Sequence, residues 1–218
     1  MGRRMSGALV LLRLLHLADS AFPAGAYAFS DGLETLVVRG EVANAGGLHA
    51  FLRGQLQQGW GRCDPPACAL AWVGTSELDG LLDLLKPVSG PRTASTKVGR
   101  NLHRAAKKLW PEHLSGMQPS RHQAAVFGQV AAALGVNQEA AVTAFVGGWL
   151  LGRATSATRL MRLGGLDAQR VVSSLEDEAA CCVQWALTAT PDDLCSFAPA
   201  LDVAAAEQAT LDVRLFQS

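Results

Sequence analysis

The stretch NAGGLHAFLRGQLQQGW, Asn44 to Trp60, sets Leu48, Phe51, Leu52, Leu56 and Trp60 three or four residues apart behind an asparagine. At 3.6 residues per turn those five side chains share one face, and Asn44 is suited to accept an N–H of the first turn, so the spacing predicts a capped helix with one buried stripe. The same pattern recurs on both sides. Upstream, a helix is expected over 6–18, then a Gly/Pro-bearing loop through Gly32 and a short helix from Leu33. Downstream, Asp64-Pro65 offers a cap and a first-turn proline, and Ser76 with Asp79 resembles a capping box for a helix that ends near Lys86-Pro87. Further helices are expected over 92–110, 120–134, 137–163 and 167–188. No sustained alternation of apolar and polar residues occurs, no hairpin dipeptide sits between such runs, isoleucine is absent, and no fixed-period repeat is present. The expectation is an all-α fold: a compact single-domain helical bundle over 1–218, with segment 1–32 and tail 202–218 mobile.

Composition narrows the function. Hydrophobic residues make up 49% and charged residues 17%, and no Pro/Ser-rich linker divides the chain. That apolar content suggests that part of the surface meets a partner. Lys+Arg and Asp+Glu are equal at 19 each, so no overall field steers the molecule to nucleic acid or to an anionic membrane. Cys63 and Cys68 flank a Pro-Pro pair, Cys181 and Cys182 are adjacent, and Cys195 stands alone, a spacing that fits reduced thiols rather than a disulfide framework or a zinc site. Near the start, Arg13 and His16 interrupt the leucine run on one side of a helix, which reads as amphipathic rather than as a secretory signal. No uninterrupted apolar stretch reaches the roughly 18 to 20 residues needed to span a bilayer. A cytoplasmic location is expected.

Residues for chemistry are scattered. His16, His49, His103, His113 and His122 lie in separate segments, and no nucleophile elbow, phosphate loop or zinc-protease motif is present. Asp192-Asp193 alone is too little for a magnesium site. Lys97, Arg100, Arg104 and Lys108 share one helix face while Val98, Leu102, Ala105 and Leu109 line another, giving either a solvated basic face or a dock for an acidic protein surface. Gly147, Gly148, Gly152, Ala154, Ser156 and Ala157 form a small-residue helix, for which a tight crossing within the chain and a homodimer seam are both open. The reading is a protein that binds other proteins and has no catalytic or metal residues. The alternatives are a helical enzyme with a buried apolar pocket, or nucleic-acid binding through the Lys97/Arg100/Arg104 face.

The segment LLRLLHLADSAFPAGAYAFSDGLE, Leu11 to Glu34, resembles the N-terminal signature of the UreF family of urease accessory proteins at Asp19, Ser20, Phe22, Pro23, Gly25, Tyr27, Ser30, Gly32, Leu33 and Glu34. Further blocks are similar to that family at Arg92, Ser95, Gly99, Arg100 and Leu102, at His122, Phe127 and Gly128, and at Ser156, Ala157, Arg159, Leu160, Leu163, Gly164 and Gln169. The chain also ends as the family does, at Arg214, Leu215, Phe216 and Ser218. Ala26 and Gly165 depart from the pattern, and Phe29 and Gln208 stand where the family often has imidazole, which argues against nickel binding at those two positions. The resemblance implies an all-α homodimer without catalytic activity or resident cofactor. It would join a UreD/UreH-type accessory protein, recruit the nickel-carrying UreG-type GTPase and gate its hydrolysis, and pass nickel to apo-urease. Partner contacts are then expected at Pro23, Gly25, Tyr27, Ser30, Glu34, Lys97, Arg100, Arg104, Arg159, Arg214, Leu215 and Phe216. Nickel transits the assembly and binds this chain weakly, with His122, Cys63 and Cys68 the first residues to mutate. The tail from Asp202 is expected to become ordered on the UreD/UreH-type partner, the alternative being that Leu215 and Phe216 pack on the same chain.

Overall fold

A computed structural model describes residues 7–208 and 215–216, and its regular elements among them are α-helices and single 3₁₀ turns, without a strand. The helices are α1 (Gly7–Ala18), α2 (Leu33–Val38), α3 (Ala45–Gln57), α4 (Asp64–Trp72), α5 (Leu78–Leu85), α6 (Ser89–Leu109), α7 (Gln123–Ala133), α8 (Gln138–Leu160), α9 (Gly165–Ser173), α10 (Glu176–Thr188) and α11 (Pro199–Glu207). The all-α reading holds. No helix among the described residues is long and apolar enough to cross a membrane.

The centre is the pair α4 and α7. Apart from Asp64, Gln123 and Gln129 both are apolar, with Ala67, Cys68, Ala69, Ala124, Ala125, Val126, Val130 and Ala131 buried, as a helix enclosed on nearly all sides requires. Two glycines set how closely the neighbours approach. A Cβ at Gly128 would lie 2.1 Å from the Cys68 carbonyl oxygen, and one at Gly99 of α6 would lie 2.2 Å from that of Arg121, so any side chain there drives two backbones apart. Helix α8 packs alongside α4, α7, α9 and α10, and α1 lies across α8. Of the small residues on α8, Ala154 and Ala157 are fully buried and Gly148 faces the end of α1, where a Cβ would sit 3.3 Å from the Ala18 oxygen. A Cβ at Gly147 or Gly152 would meet nothing within 4 Å.

Local caps follow the sequence where the partner is near and depart from it where a distant group competes. Asn44 accepts from the Gly47 N–H at 3.1 Å and Asn137 from the Ala140 N–H at 2.8 Å. Asp64 does not cap: it lies in the first turn of α4, and its carboxylate pairs with Lys86 Nζ at 2.6 Å. No capping box forms at α5 either. Glu77 precedes that helix in the left-handed region at φ 64°, and Asp79 accepts the N–H of Arg121 at 2.8 and 2.9 Å and that of His122 at 3.3 Å, tying α5 to the start of α7. The single helix expected over 167–188 is two helices, broken at Ser174 and Leu175. Leu175 turns fully into the core, and Glu176, Asp177 and Glu178 then supply the negative charge that favours a new helix N-terminus. The segment expected to be mobile from 202 begins inside α11, which packs on α2.

Candidate functional site

Residues 19–34 form a loop pinned at both ends. Phe22 lies in an aromatic group with His16 and Trp110, at centroid distances of 5.6 and 6.1 Å, and Asn101 of α6 donates to the Ala24 carbonyl at 3.3 Å. Gly25 takes φ 78°. At the far end Asp31 and Gly32 are both left-handed, at φ 51° and 83°, and a Cβ on Gly32 would come within 2.6 Å of Leu201 on α11. The loop therefore requires glycine at 32 for its dihedral angle and for the helix that covers it.

That turn delivers two polar side chains into the interior. Glu34, only 2% exposed, accepts from Gln208 Nε2 at 3.0 Å, from the Leu215 N–H at 2.5 Å and from the Phe216 N–H at 3.3 Å. Gln208 Nε2 also donates to the Ser30 hydroxyl at 3.0 Å. A buried carboxylate needs donors in place of water, and these come from the other end of the chain. Thus Ser30, Glu34, Leu215 and Phe216, expected as separate partner contacts, converge in one knot within the chain. Phe216 is 6% exposed, whereas the Leu215 side chain is 65% exposed and faces outward. For these two residues the expectation of order gained only on a partner gives way to this intrachain contact, because Glu34 holds their backbone. Arg214 lies outside the described residues, as do 209–213, 217 and 218.

The remaining expected contacts stay apart from the knot. Pro23 and Tyr27 are exposed on the loop. Arg100 and Arg104 point outward from α6 together with Lys107 and Lys108, and Lys97 Nζ sits 5.8 Å over the Phe29 ring, joining the basic face to the loop. Arg159 is exposed on α8. Beside them α1 buries Leu14 and Leu17 but exposes Leu11, Leu12 and Leu15.

Beneath the loop lies a cleft of about 600 Å³, walled by the loop, α6, α8 and α11. Arg153 on α8 donates to Asp31 at 2.9 Å across it. Burial pulls the Lys86 ammonium down, but the Asp64 carboxylate at 2.6 Å, helped by Asp31, outweighs that and leaves its pKa raised. Burial pushes the neighbouring Cys63 thiol up to about 12, so it is protonated at neutral pH and is a poor nucleophile or ligand. Among the described residues no three His, Cys, Asp or Glu side chains are grouped so as to hold a metal ion.

One constellation was invisible in the sequence. His122, fully buried, meets Ser95 Oγ through Nδ1 and Asp83 Oδ1 through Nε2, both at 3.1 Å, and Asp83 also pairs with Arg121 at 2.6 Å. The order serine, histidine, aspartate is that of an activated nucleophile. The surroundings do not complete it. Ser95 lies inside α6, where neighbouring N–H groups serve the helix ladder and none is left to hold an oxyanion. Burial, assisted by Lys86, lowers the pKa of His122 against the opposing pull of Asp83. The chain of contacts holds α5, α6 and the start of α7 together.

Fold and site define a helical protein whose developed features among the described residues are an exposed apolar helix, a basic face and a cleft. A family model described as UreF matches residues 42–176. Urease accessory protein UreF of Rhodopseudomonas palustris (strain TIE-1) is 31% identical over 221 residues, covering 95% of this chain and 92% of its own length. The protein of the same name from Jannaschia sp. (strain CCS1) is 27% identical, with 95% and 94% covered. That from Chromohalobacter salexigens is 31% identical, with 96% and 95% covered. The chain belongs to the UreF family of urease accessory proteins, an accessory protein rather than an enzyme.

Proposed function

We propose that the protein is a cytoplasmic, homodimeric adaptor in urease maturation: it joins a UreD/UreH-type accessory protein, recruits and gates the UreG-type GTPase, and serves delivery of nickel to apo-urease. The observation that carries this reading is α1, which leaves Leu11, Leu12 and Leu15 in solvent beside the pinned loop. An exposed apolar row of this kind marks an interaction surface. The basic face of Lys97, Arg100 and Arg104 suits an acidic partner surface, and the exposed Leu215 side chain extends from the knot that holds the tail. Nickel is cargo in this scheme, bound weakly by the isolated chain.

Co-purification with the other accessory proteins and apo-urease tests the reading. Wild type is expected to capture the UreD/UreH-type protein, and Leu11→Asp/Leu15→Asp to lose that capture with helicity intact. Arg100→Glu/Arg104→Glu is expected to keep it and to lose the GTPase. Unchanged capture by both variants sinks the assignment of surfaces. A monomer in light scattering at tens of micromolar argues against the homodimer, and one tight stoichiometric nickel site in calorimetry overturns the cargo role.

A further inference from the structure

The cleft is built on one face of α8. Phe145, Trp149, Gly152, Arg153, Ser156 and Arg159 succeed one another at helical spacing along its wall. Three features of this row call for a ligand. Trp149 Nε1 and Arg153 Nε are buried N–H groups without an acceptor among the described residues, and Arg153 is 95% buried, with only Nη1 engaged by Asp31. A buried donor left unpaired costs about 1 to 3 kcal/mol, so two on adjacent turns of a cleft wall are unusual unless an acceptor completes them. Gly152 lies between them, and a Cβ there would meet nothing within 4 Å, so the cleft is open over the helix between the two donors. Arg159 then continues the row at the exposed end, with no ion-pair partner among the described residues.

The opposite character is supplied by aromatic rings. Trp60 stacks on Trp149 at 4.3 Å and on Phe145 at 5.4 Å, and both belong to the same lining. The volume, about 600 Å³, is that of a small-molecule site, and an apolar wall with a few convergent polar groups is the usual composition of one. Of the four carboxylates that also line the cleft, Asp31 is engaged by Arg153, Asp64 by Lys86 and Asp19 by the Ala21 N–H, and the fourth is Asp202. Burial raises the pKa of Asp202, against the opposing pull of Lys86.

We propose that this cleft binds a small organic carboxylate with an apolar or aromatic body, the carboxylate seated over Gly152 toward the Trp149 and Arg153 N–H groups and drawn there by the charge of Arg159, and the body lying against Trp60 and Phe145. Helices α1 and α6 also line the cleft, but Leu11, Leu12, Leu15, Lys97, Arg100 and Arg104 of the adaptor surfaces are not among its lining residues.

Benzoate is the probe, with benzyl alcohol and benzylamine as its neutral and cationic counterparts, titrated into the full-length ¹⁵N-labelled chain. The indole N–H of Trp149, assigned with Trp149→Phe, is expected to shift saturably with benzoate at a midpoint on the order of 1 mM. Both counterparts are expected to be weaker by ~10-fold or more. Gly152→Leu fills the space with a better helix former and is expected to abolish the shift at unchanged helicity. Arg159→Glu, at an exposed position that threatens no packing, is expected to weaken benzoate by ~10-fold or more and tests the site even if Gly152→Leu misfolds. The proposal is overturned if benzoate leaves the Trp149 resonance unmoved, if benzyl alcohol or benzylamine binds as tightly, or if Arg159→Glu binds benzoate as wild type does.

Discussion

Replacing Glu34 with Gln isolates the contact between the two ends of the chain. The side chain keeps its size, but three N–H groups, from Gln208, Leu215 and Phe216, now face one carbonyl oxygen and an NH₂ group. A carbonyl accepts at most two of them, without charge assistance, and the amide nitrogen meets a donor with a donor. A hydrogen bond to a charged group contributes about 1.5 to 3 kcal/mol net, against about 1 for a neutral one. Losing one bond and weakening the others therefore removes roughly 2 to 4 kcal/mol from docking of the tail. At 1.36 kcal/mol per tenfold change, the Leu215 and Phe216 amides should exchange with solvent at least ~30-fold faster, while amides of α4 and α7 change little. Hydrogen exchange read residue by residue checks this, with far-UV circular dichroism as control. Exchange at Leu215 and Phe216 within about threefold of wild type would refute the reasoning, because the buried carboxylate would then not be what holds them.

Further expectations rest on the interior. Gly128→Ala places a methyl group 2.1 Å from the Cys68 oxygen and should cost at least about 1 to 3 kcal/mol in urea unfolding, whereas Gly147→Ala, with open space around it, should be neutral or stabilising. His122 holds its proton less readily folded than in its ordinary state near 6.5, chiefly through burial, so the unfolded chain protonates first on acidification. Its contribution to stability is thus complete above about pH 6.5 and lost as pH falls below it, and His122→Gln should flatten that part of the pH profile of unfolding. Iodoacetamide on the native protein at pH 7.5 should label exposed Cys181 and Cys195, while Cys63 and Cys182, buried with thiols pushed up to about 12, remain unlabelled by mass spectrometry.

Local chemistry was readable without coordinates and distant pairing was not. The apolar spacing behind Asn44 and Asn137 predicts α3 and α8, because cap and stripe lie within a few residues of each other. The glycines of the N-terminal signature likewise mark the turn that Asp31 and Gly32 make. Asp64 and Asp79 carry the same local signal as true caps, yet Lys86 and the backbone at 121–122 take them, and no spacing rule ranks those competitors. The knot, the Asp31–Arg153 pair and the Asp83–His122–Ser95 contacts join residues 27 to 182 positions apart. Ser95, Gly99, His122 and Gly128 stood out as motif residues, and the structure shows why as packing: two close crossings and a polar link between helices.

The enclosure of α7 bears on how the chain is made. Apart from Gln123 and Gln129, α7 is built of Ala, Gly, Val and Phe; a helix so short and apolar has no stable existence in water, and it is held by α4 and α6 before it in sequence and by α8 after it. During synthesis the α4 and α7 surfaces leave the ribosome before α8 exists to cover them. A growing chain whose α7 has left the exit tunnel while α8 is still inside it therefore presents a nearly all-apolar helix face to solvent. Recovery of the protein from a cell is therefore expected to respond to a holding chaperone in that interval as well as to the stability of the finished fold.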